Sequence, residues 1–517
     1  MRQIDGGKEC VSTRGGLAIY CEESAEVIVL AAIPGRTEPF ACVKMMKVTK
    51  GETKEGTKRE ADCGCCQRRS AEHGKYDRAP IDQRMTELDD TNAPITEGLM
   101  EKIADRDNLN TAYKHVKRNK GSGGVDKIEM AQLLPYLKEH APEIRQSLMD
   151  GTYRPSPVLG VEIPKENGDK RRLGIPTLRD RVIQQAIMQQ LTEIYEPQFA
   201  DASFGFRPNR SCHDALKKSQ EYLNQGYVWT VDMDLEKFFD TVNQSKLVEV
   251  LSRSIKDGRV ISLIHRFMRA GAIWWGKYEE TKQGVPQGGP LSPLLANILL
   301  NELDHELEAR GHRFVRYADD MIIFCKSKAS AVQALEHITP FIERKLFLKV
   351  NRVKTVVAYA SKIKFLGYSF YKTKQGFRFR VHQKSQAKLR EKLKELTSRR
   401  RITTLDEWMR RLKLTIIGWV NYYKLADMRT FLQETDKWLR RRIRMVFWKR
   451  WKRIGARYNN LRRLGISEDD AKKQANTRKG LWRTANSPIL KCALNNDKLE
   501  RVGFTYLSKR YSVISTL

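Results

Sequence analysis

The sequence predicts an α+β protein, and three stretches predict it. Phe314-Val315 and Met321-Ile322-Ile323-Phe324 are two short apolar runs of β-forming residues, and Ala318-Asp319-Asp320 supplies a turn between them. Thr230 to Leu235 alternates polar and apolar residues in its first part, which reads as a further strand ending near Asp234. The C-terminal part changes character. Lys437 to Arg453 carries nine Lys or Arg in seventeen residues and no acid, with Trp438, Phe447, Trp448 and Trp451 interleaved.

Taken in order, residues 1–84 mix Gly, Lys, Glu and Thr without sustained periodicity and form an unassigned extension. One reading takes Met85 as the natural start. Six of the nine cysteines lie in the first 66 residues. Cys63-Gly64-Cys65-Cys66 lacks the paired C-x-x-C spacing of structural zinc sites, so reduced thiols in a poorly structured leader are expected. Gly98 to Lys117 predicts one amphipathic helix, and Arg118 to Asp126 a flexible basic loop. Val158 to Pro176 reads as a hairpin turning at Glu166-Asn167-Gly168-Asp169, with Lys165 and Arg171 flanking the tip. A helix starts at Asp180.

Gln283 to Leu295 holds three glycines and three prolines, a stiff loop before an apolar stretch of helical length, Leu294 to Leu303. Gly376 to Val381 is a short strand, and Ser385 is expected to cap a charged helix through Leu396. Gly465 to Ala471 looks like a capped helix start.

At 517 residues the chain is long enough for two to four domains. A formal net charge of +33 points to a polyanionic partner. The apolar run Ala25 to Pro34 is too short to span a bilayer, and Glu22, Glu23 and Glu26 do not suit a targeting signal. A cytoplasmic protein with no membrane partner is expected.

Two neighbouring carboxylates on a hairpin tip repel each other, and burial worsens it. A divalent metal offsets that cost, and Mg²⁺ prefers oxygen ligands while leaving positions for substrate phosphates. Tyr317-Ala318-Asp319-Asp320 alone fits a solvated turn equally well. Asp234 at a strand end adds a third acid and favours the metal, although an Asp there also suits a helix cap.

Together, Asp234 with Phe238-Phe239-Asp240, Pro286-Gln287-Gly288, and Tyr317 to Asp320, in this order, resemble the A, B and C motifs of reverse transcriptases. The extended string Gln283 to Asp304 and Phe365 to Phe370 resemble the group II intron-encoded branch, and Gly418-Trp419-Val420-Asn421-Tyr422-Tyr423 resembles its maturase domain. The resemblance implies a right-hand polymerase: fingers and palm with an antiparallel sheet (85–372), a helical thumb or maturase (X) domain (373–455) and a small basic helical DNA-binding region (456–517). It implies catalysis by Asp234, Asp319 and Asp320, with Leu235 joining them at Mg²⁺. Lys165, Arg171, Phe239, Gln287 and Lys354 fall at nucleotide-binding places, Phe239 beneath the sugar and Lys354 near the triphosphate.

Basic faces with aromatic inserts suit RNA. Lys437, Arg440, Arg441, Arg444, Lys449, Arg450 and Lys452 are the expected contacts. Group II intron RNA, target DNA, the RNA–DNA hybrid and deoxynucleoside triphosphates are the implied partners. The H-N-H endonuclease of many relatives is not expected. Two rival roles stay open: a splicing-only maturase, and a reverse transcriptase used in defence.

Overall fold

The computed structural model describes residues 21–22, 26–27, 97–164, 168, 170–398 and 404–515. The expectations on residues 1–84 and on Met85 lie outside the described residues, apart from two short strands. These are β1 (Cys21–Glu22) and β2 (Glu26–Val27), which pair antiparallel.

Gly98 to Lys117 is two helices rather than one. α1 (Leu99–Ile103) stops, and α2 (Arg106–Asn119) restarts after Asp105, whose carboxylate accepts from the amides of Asp107 and Asn108. A strong N-cap overrides apolar spacing that runs across it. The glycine loop after α2 is packed rather than free. A Cβ on Gly124 would lie 2.7 Å from the Thr177 backbone, and the Ser122 carbonyl accepts from Arg181 at 2.6 Å. After α3 (Met130–Met149), β3 (Val158–Pro164) and β4 (Lys170–Ile175) form the expected hairpin, with Ile163 opposite Arg171. Lys165, at its tip, lies outside the described residues. Two further helices follow, α4 (Leu178–Tyr195) and α5 (Cys212–Asn224).

β5 (Trp229–Met233) leads through the single turn α6 (Phe238–Thr241) to α7 (Gln244–Ser254) and α8 (Gly258–Met268). β6 (Ala272–Trp274) and β7 (Lys277–Glu279) then complete a sheet of order β4-β3-β6-β7. α9 (Ser292–Ala309), β8 (Arg313–Tyr317), β9 (Asp320–Cys325), α10 (Lys328–Arg344) and β10 (Val356–Tyr359) follow. The second sheet, β10-β5-β9-β8, is antiparallel throughout.

Side chains alternate across a strand, so this second sheet serves two cores. Val231, Met233, Met321 and Ile323 pack with α4 and α7 to α10. Val315, Ile322 and Phe324 face the other way, toward the C-terminal half. There β11 (Tyr368–Thr373) and β12 (Gly376–Val381) pair, and α11 (Gln383–Leu396), α12 (Leu405–Tyr422) and α13 (Arg429–Arg450) pack behind them.

Ser385 does not cap α11. His382 does, accepting from the Lys384 amide, while the buried Ser385 hydroxyl donates to the Gly367 carbonyl at 3.0 Å. Six helices close the chain: α14 (Ile454–Arg463), α15 (Glu468–Ala475), α16 (Leu481–Thr484), α17 (Pro488–Ala493), α18 (Asn496–Arg501) and α19 (Leu507–Ser515). Ser467 caps α15, as its sequence signals. The whole is α+β, with a hairpin sheet, an antiparallel central sheet and a helical C-terminal half.

Candidate active site and nucleic-acid interface

Strand register brings the acids to one end of the central sheet. Met233 pairs with Met321, so Asp234 and Asp320, one step beyond on each strand, are carried side by side. Tyr317 pairs with Asp320, which leaves Ala318 and Asp319 as the two turn residues. Asp232, Asp234 and Asp320 share a sheet face by the two-residue repeat. Asp232 is the residue that sequence reasoning passed over. Burial, and then the charge of Asp234, push its carboxyl from the usual 3.8 up to about 7, against the pull of Lys364.

Asp234 is not the cap of the following turn. Its carbonyl accepts from the Asn351 amide at 2.8 Å, and its carboxylate lies 3.5 Å from the Lys354 ammonium. The Asn351 side chain accepts from the amides of Val353 and Lys354, both at 3.2 Å. This Asx turn aims Lys354 at Asp234; an Asn three residues before a Lys is its only trace in the sequence. Leu235 buries its side chain and bridges to Val350.

The β3–β4 hairpin meets the glycine–proline loop directly. Arg171 Nε donates to Gln287 Oε1 at 3.0 Å, and the Gly174 amide donates to the Gln287 carbonyl at 2.8 Å. Phe239 is half-buried on α6, edge-on to Phe238, and its carbonyl accepts from Val285 at 2.7 Å. Gly284 makes that approach possible, since a Cβ there would lie 2.7 Å from the Phe239 oxygen. Motif A and motif B are thus sewn together by backbone.

The basic helix α13 and the residues just after it present cations of three kinds. Lys437, Lys449, Arg450 and Lys452 are exposed. Arg440 and Arg441 lie over the rings of Tyr506 and Trp482, and Arg441 also donates to the Trp482 carbonyl. Arg444 departs from expectation. It is 7% exposed, and its Nε donates to the Leu494 carbonyl at 3.1 Å, so it anchors α17 rather than facing RNA. Phe447 and Trp448 are core residues. The Gly418 to Tyr423 string is a joint: the Tyr422 carbonyl accepts from Tyr368 and His213, and the Tyr422 hydroxyl donates to Leu366.

Three carboxylates are a hard-oxygen donor set, which suits a divalent cation rather than a soft metal. The backbone brings their residues together. Among the described residues, however, no three acidic, His or Cys side chains are drawn into a ready cluster. No described helix is long and apolar enough to cross a membrane.

A palm-like sheet carrying acids on a hairpin turn, joined to a helical basic module, defines a class of nucleic-acid polymerase. Family comparison agrees. Residues 163–370 match the reverse transcriptase (RNA-dependent DNA polymerase) model, and residues 386–465 match the group II intron maturase-specific domain. The chain is 34% identical over 276 residues to Protein YkfC of Escherichia coli K12, covering 46% of this chain and 72% of that one. It is also 34% identical over 334 residues to the group II intron-encoded protein LtrA of Lactococcus lactis subsp. cremoris. That match covers 51% of this chain and 55% of the relative, so the chain spans about half the length of the Lactococcus protein. The chain belongs to the reverse transcriptases that carry a group II intron maturase domain.

Proposed function

We propose that this chain is an RNA-directed DNA polymerase that also binds its group II intron RNA to assist splicing. It carries the intron into DNA by target-primed reverse transcription. The observation that supports this most is the register that sets Asp234 beside Asp320 with Asp319 in the adjoining turn.

Asp234, Asp319 and Asp320, with the Leu235 carbonyl, would hold Mg²⁺, which would supply charge neutralisation for an in-line phosphoryl transfer. Arg171 and Lys165 hold the triphosphate, Arg by its fork and Lys as a point charge. Gln287 fixes the Arg171 side chain. Phe239 lies under the sugar and excludes a 2′-hydroxyl. Lys354, already beside Asp234, delivers a proton to the departing pyrophosphate. Residues 85–372 act as fingers and palm, 373–455 as thumb and maturase, and 456–517 as the DNA-binding region. The exposed cations Lys437, Lys449, Arg450 and Lys452 contact intron phosphates, with Arg440 and Arg441 beside them. Splicing chemistry belongs to the RNA, and the protein works in the bacterial cytoplasm.

Primer extension on an RNA template with Mg²⁺ and deoxynucleotides tests the reading. Extension by the wild type, abolished by Asp319→Ala with Asp320→Ala, is expected. Tight RNA binding without extension would leave a splicing factor instead.

A further inference from the structure

The turn that carries the acids sits on a buried ion-pair network that no part of the proposed chemistry uses. Ala318 adopts φ 58°, a left-handed backbone that a residue with a Cβ adopts only under constraint. In a two-residue hairpin that position usually goes to Gly, Asn or Asp. Something must hold the alanine there, because its conformation sets where Asp319 leaves the chain.

Arg316 is what holds it. Its side chain is 1% exposed, and Nη1 donates to the Ala318 carbonyl and to Asn297 Oδ1, at 3.0 and 2.9 Å. Nε donates to both oxygens of Asp304, at 2.8 and 3.0 Å, and Nη2 completes a forked pair with that fully buried carboxylate. Asp304 and Asn297 both project from α9, the helix that follows the Pro286-Gln287-Gly288 loop. Asn297 in turn donates to the Gly205 carbonyl at 2.8 Å. Gly205 lies so close under the turn that a Cβ there would come within 2.2 Å of the Ala318 nitrogen. The strand itself is pinned: the Arg316 amide donates to Ala202 and its carbonyl accepts from Phe204, both at 2.9 Å.

We infer that Arg316, through Asp304 and Asn297, is a positioning residue for the metal-binding turn. Its fork couples α9 and the Phe204-Gly205 segment to the Ala318 carbonyl, and so sets the placement of Asp319. A guanidinium is needed because one planar group reaches the Asp304 carboxylate, the Asn297 amide oxygen and the Ala318 carbonyl at once. An ammonium in the same place keeps the charge and loses that geometry. A pair buried only for packing would have no need to reach the turn. This inference rests on the proposal that Asp319 and Asp320 bind a divalent metal.

The test is Mn²⁺ binding by the full chain, read by electron paramagnetic resonance, for the wild type, Arg316→Lys and the Asp319→Ala/Asp320→Ala control. Thermal melts and steady-state extension run alongside. Arg316→Lys is expected to weaken Mn²⁺ binding about 10- to 100-fold, the usual cost of losing a group that orients a metal ligand. It should lower kcat and raise the metal midpoint for extension, with little change in template affinity. If Arg316→Lys melts early, Arg316→Met with Asp304→Leu replaces the pair by apolar side chains that preserve folding. It should show the same metal defect. Wild-type Mn²⁺ affinity in either folded variant would overturn the inference. Failure of the underlying reading has a different signature: Mn²⁺ affinity in the wild type that the double aspartate control does not lower. That outcome overturns the inference as well, because the turn would then bind no metal for Arg316 to position.

Discussion

The central sheet and helix α13 both bury an arginine, and they do it differently. Arg316 is buried against a carboxylate, so the charge is cancelled inside and the fork is locked on three groups. Arg444 is buried against the backbone carbonyl of Leu494, and among the described residues no carboxylate pairs with it. In the first region, the buried pair reaches the turn that carries Asp319 and Asp320. In the second, buried and ring-stacked arginines hold helices together while the exposed cations add to a positive face. Acids follow the same division. Asp232 sits in the first region with its proton held by burial and by Asp234. Asp436 of α13 accepts instead from the Leu507 and Ser508 amides, which starts α19. One region gathers acids at a sheet end, and the other spreads exposed cations along a helix and the residues just after it.

The contrast breaks first at the turn. Asp319→Ala with Asp320→Ala should lower primer extension at least about a thousandfold, the scale of losing a strong electrostatic stabiliser. Intron RNA affinity, measured by filter binding, should not change. A matching loss of RNA binding in a folded variant would erase the division between the regions.

Replacing Lys437, Lys449, Arg450 and Lys452 together by Ala should do the reverse. The slope of log affinity against log salt should fall by about 3, with extension on a short unstructured template retained.

Arg444→Gln sharpens the difference within one helix. It should destabilise the fold by about 1–3 kcal/mol by leaving the Leu494 carbonyl poorly satisfied, and leave the salt slope unchanged. A changed slope with an unchanged melt would mean that Arg444 faces RNA after all.

The smallest effect is on Asp232. Its folded pKa of about 7 lies above the ordinary 3.8, so the folded state binds the proton more tightly. The stability this gives is complete below about pH 4 and is lost as pH rises to about 7. Asp232→Asn, which imitates the protonated form, should raise the melting temperature by about 2–4 °C at pH 8 without divalent metal, and not at pH 4. Equal shifts at both pH values would remove the electrostatic explanation.

Local signals were legible wherever a pattern and a turn agreed. Phe314 to Phe324 and Val158 to Ile175 are hairpins because runs of apolar, β-forming residues flank turn formers. Where two local signals competed, the sequence misled. Apolar spacing from Leu99 to Leu109 hid the cap at Asp105, and Ser385 advertised a cap that His382 provides. The functional reading of cations was legible only as a class. Nothing in the composition of α13 separates Arg444 from Arg450, because burial depends on which helix packs against which face.

By itself, the sequence determined the α+β class, the order of the three acidic and glycine-rich motifs, and the positive charge that calls for a nucleic acid. These rest on residue type and short spacing, which need no knowledge of distant contacts. Only the tertiary structure decided that Asp234 stands beside Asp320, 86 residues on in the chain. It also decided that Arg171 meets Gln287, and that Arg316 reaches Asp304 and the Ala318 carbonyl. Strand register and helix packing set those meetings, and both are settled by burial of two cores on opposite faces of one sheet.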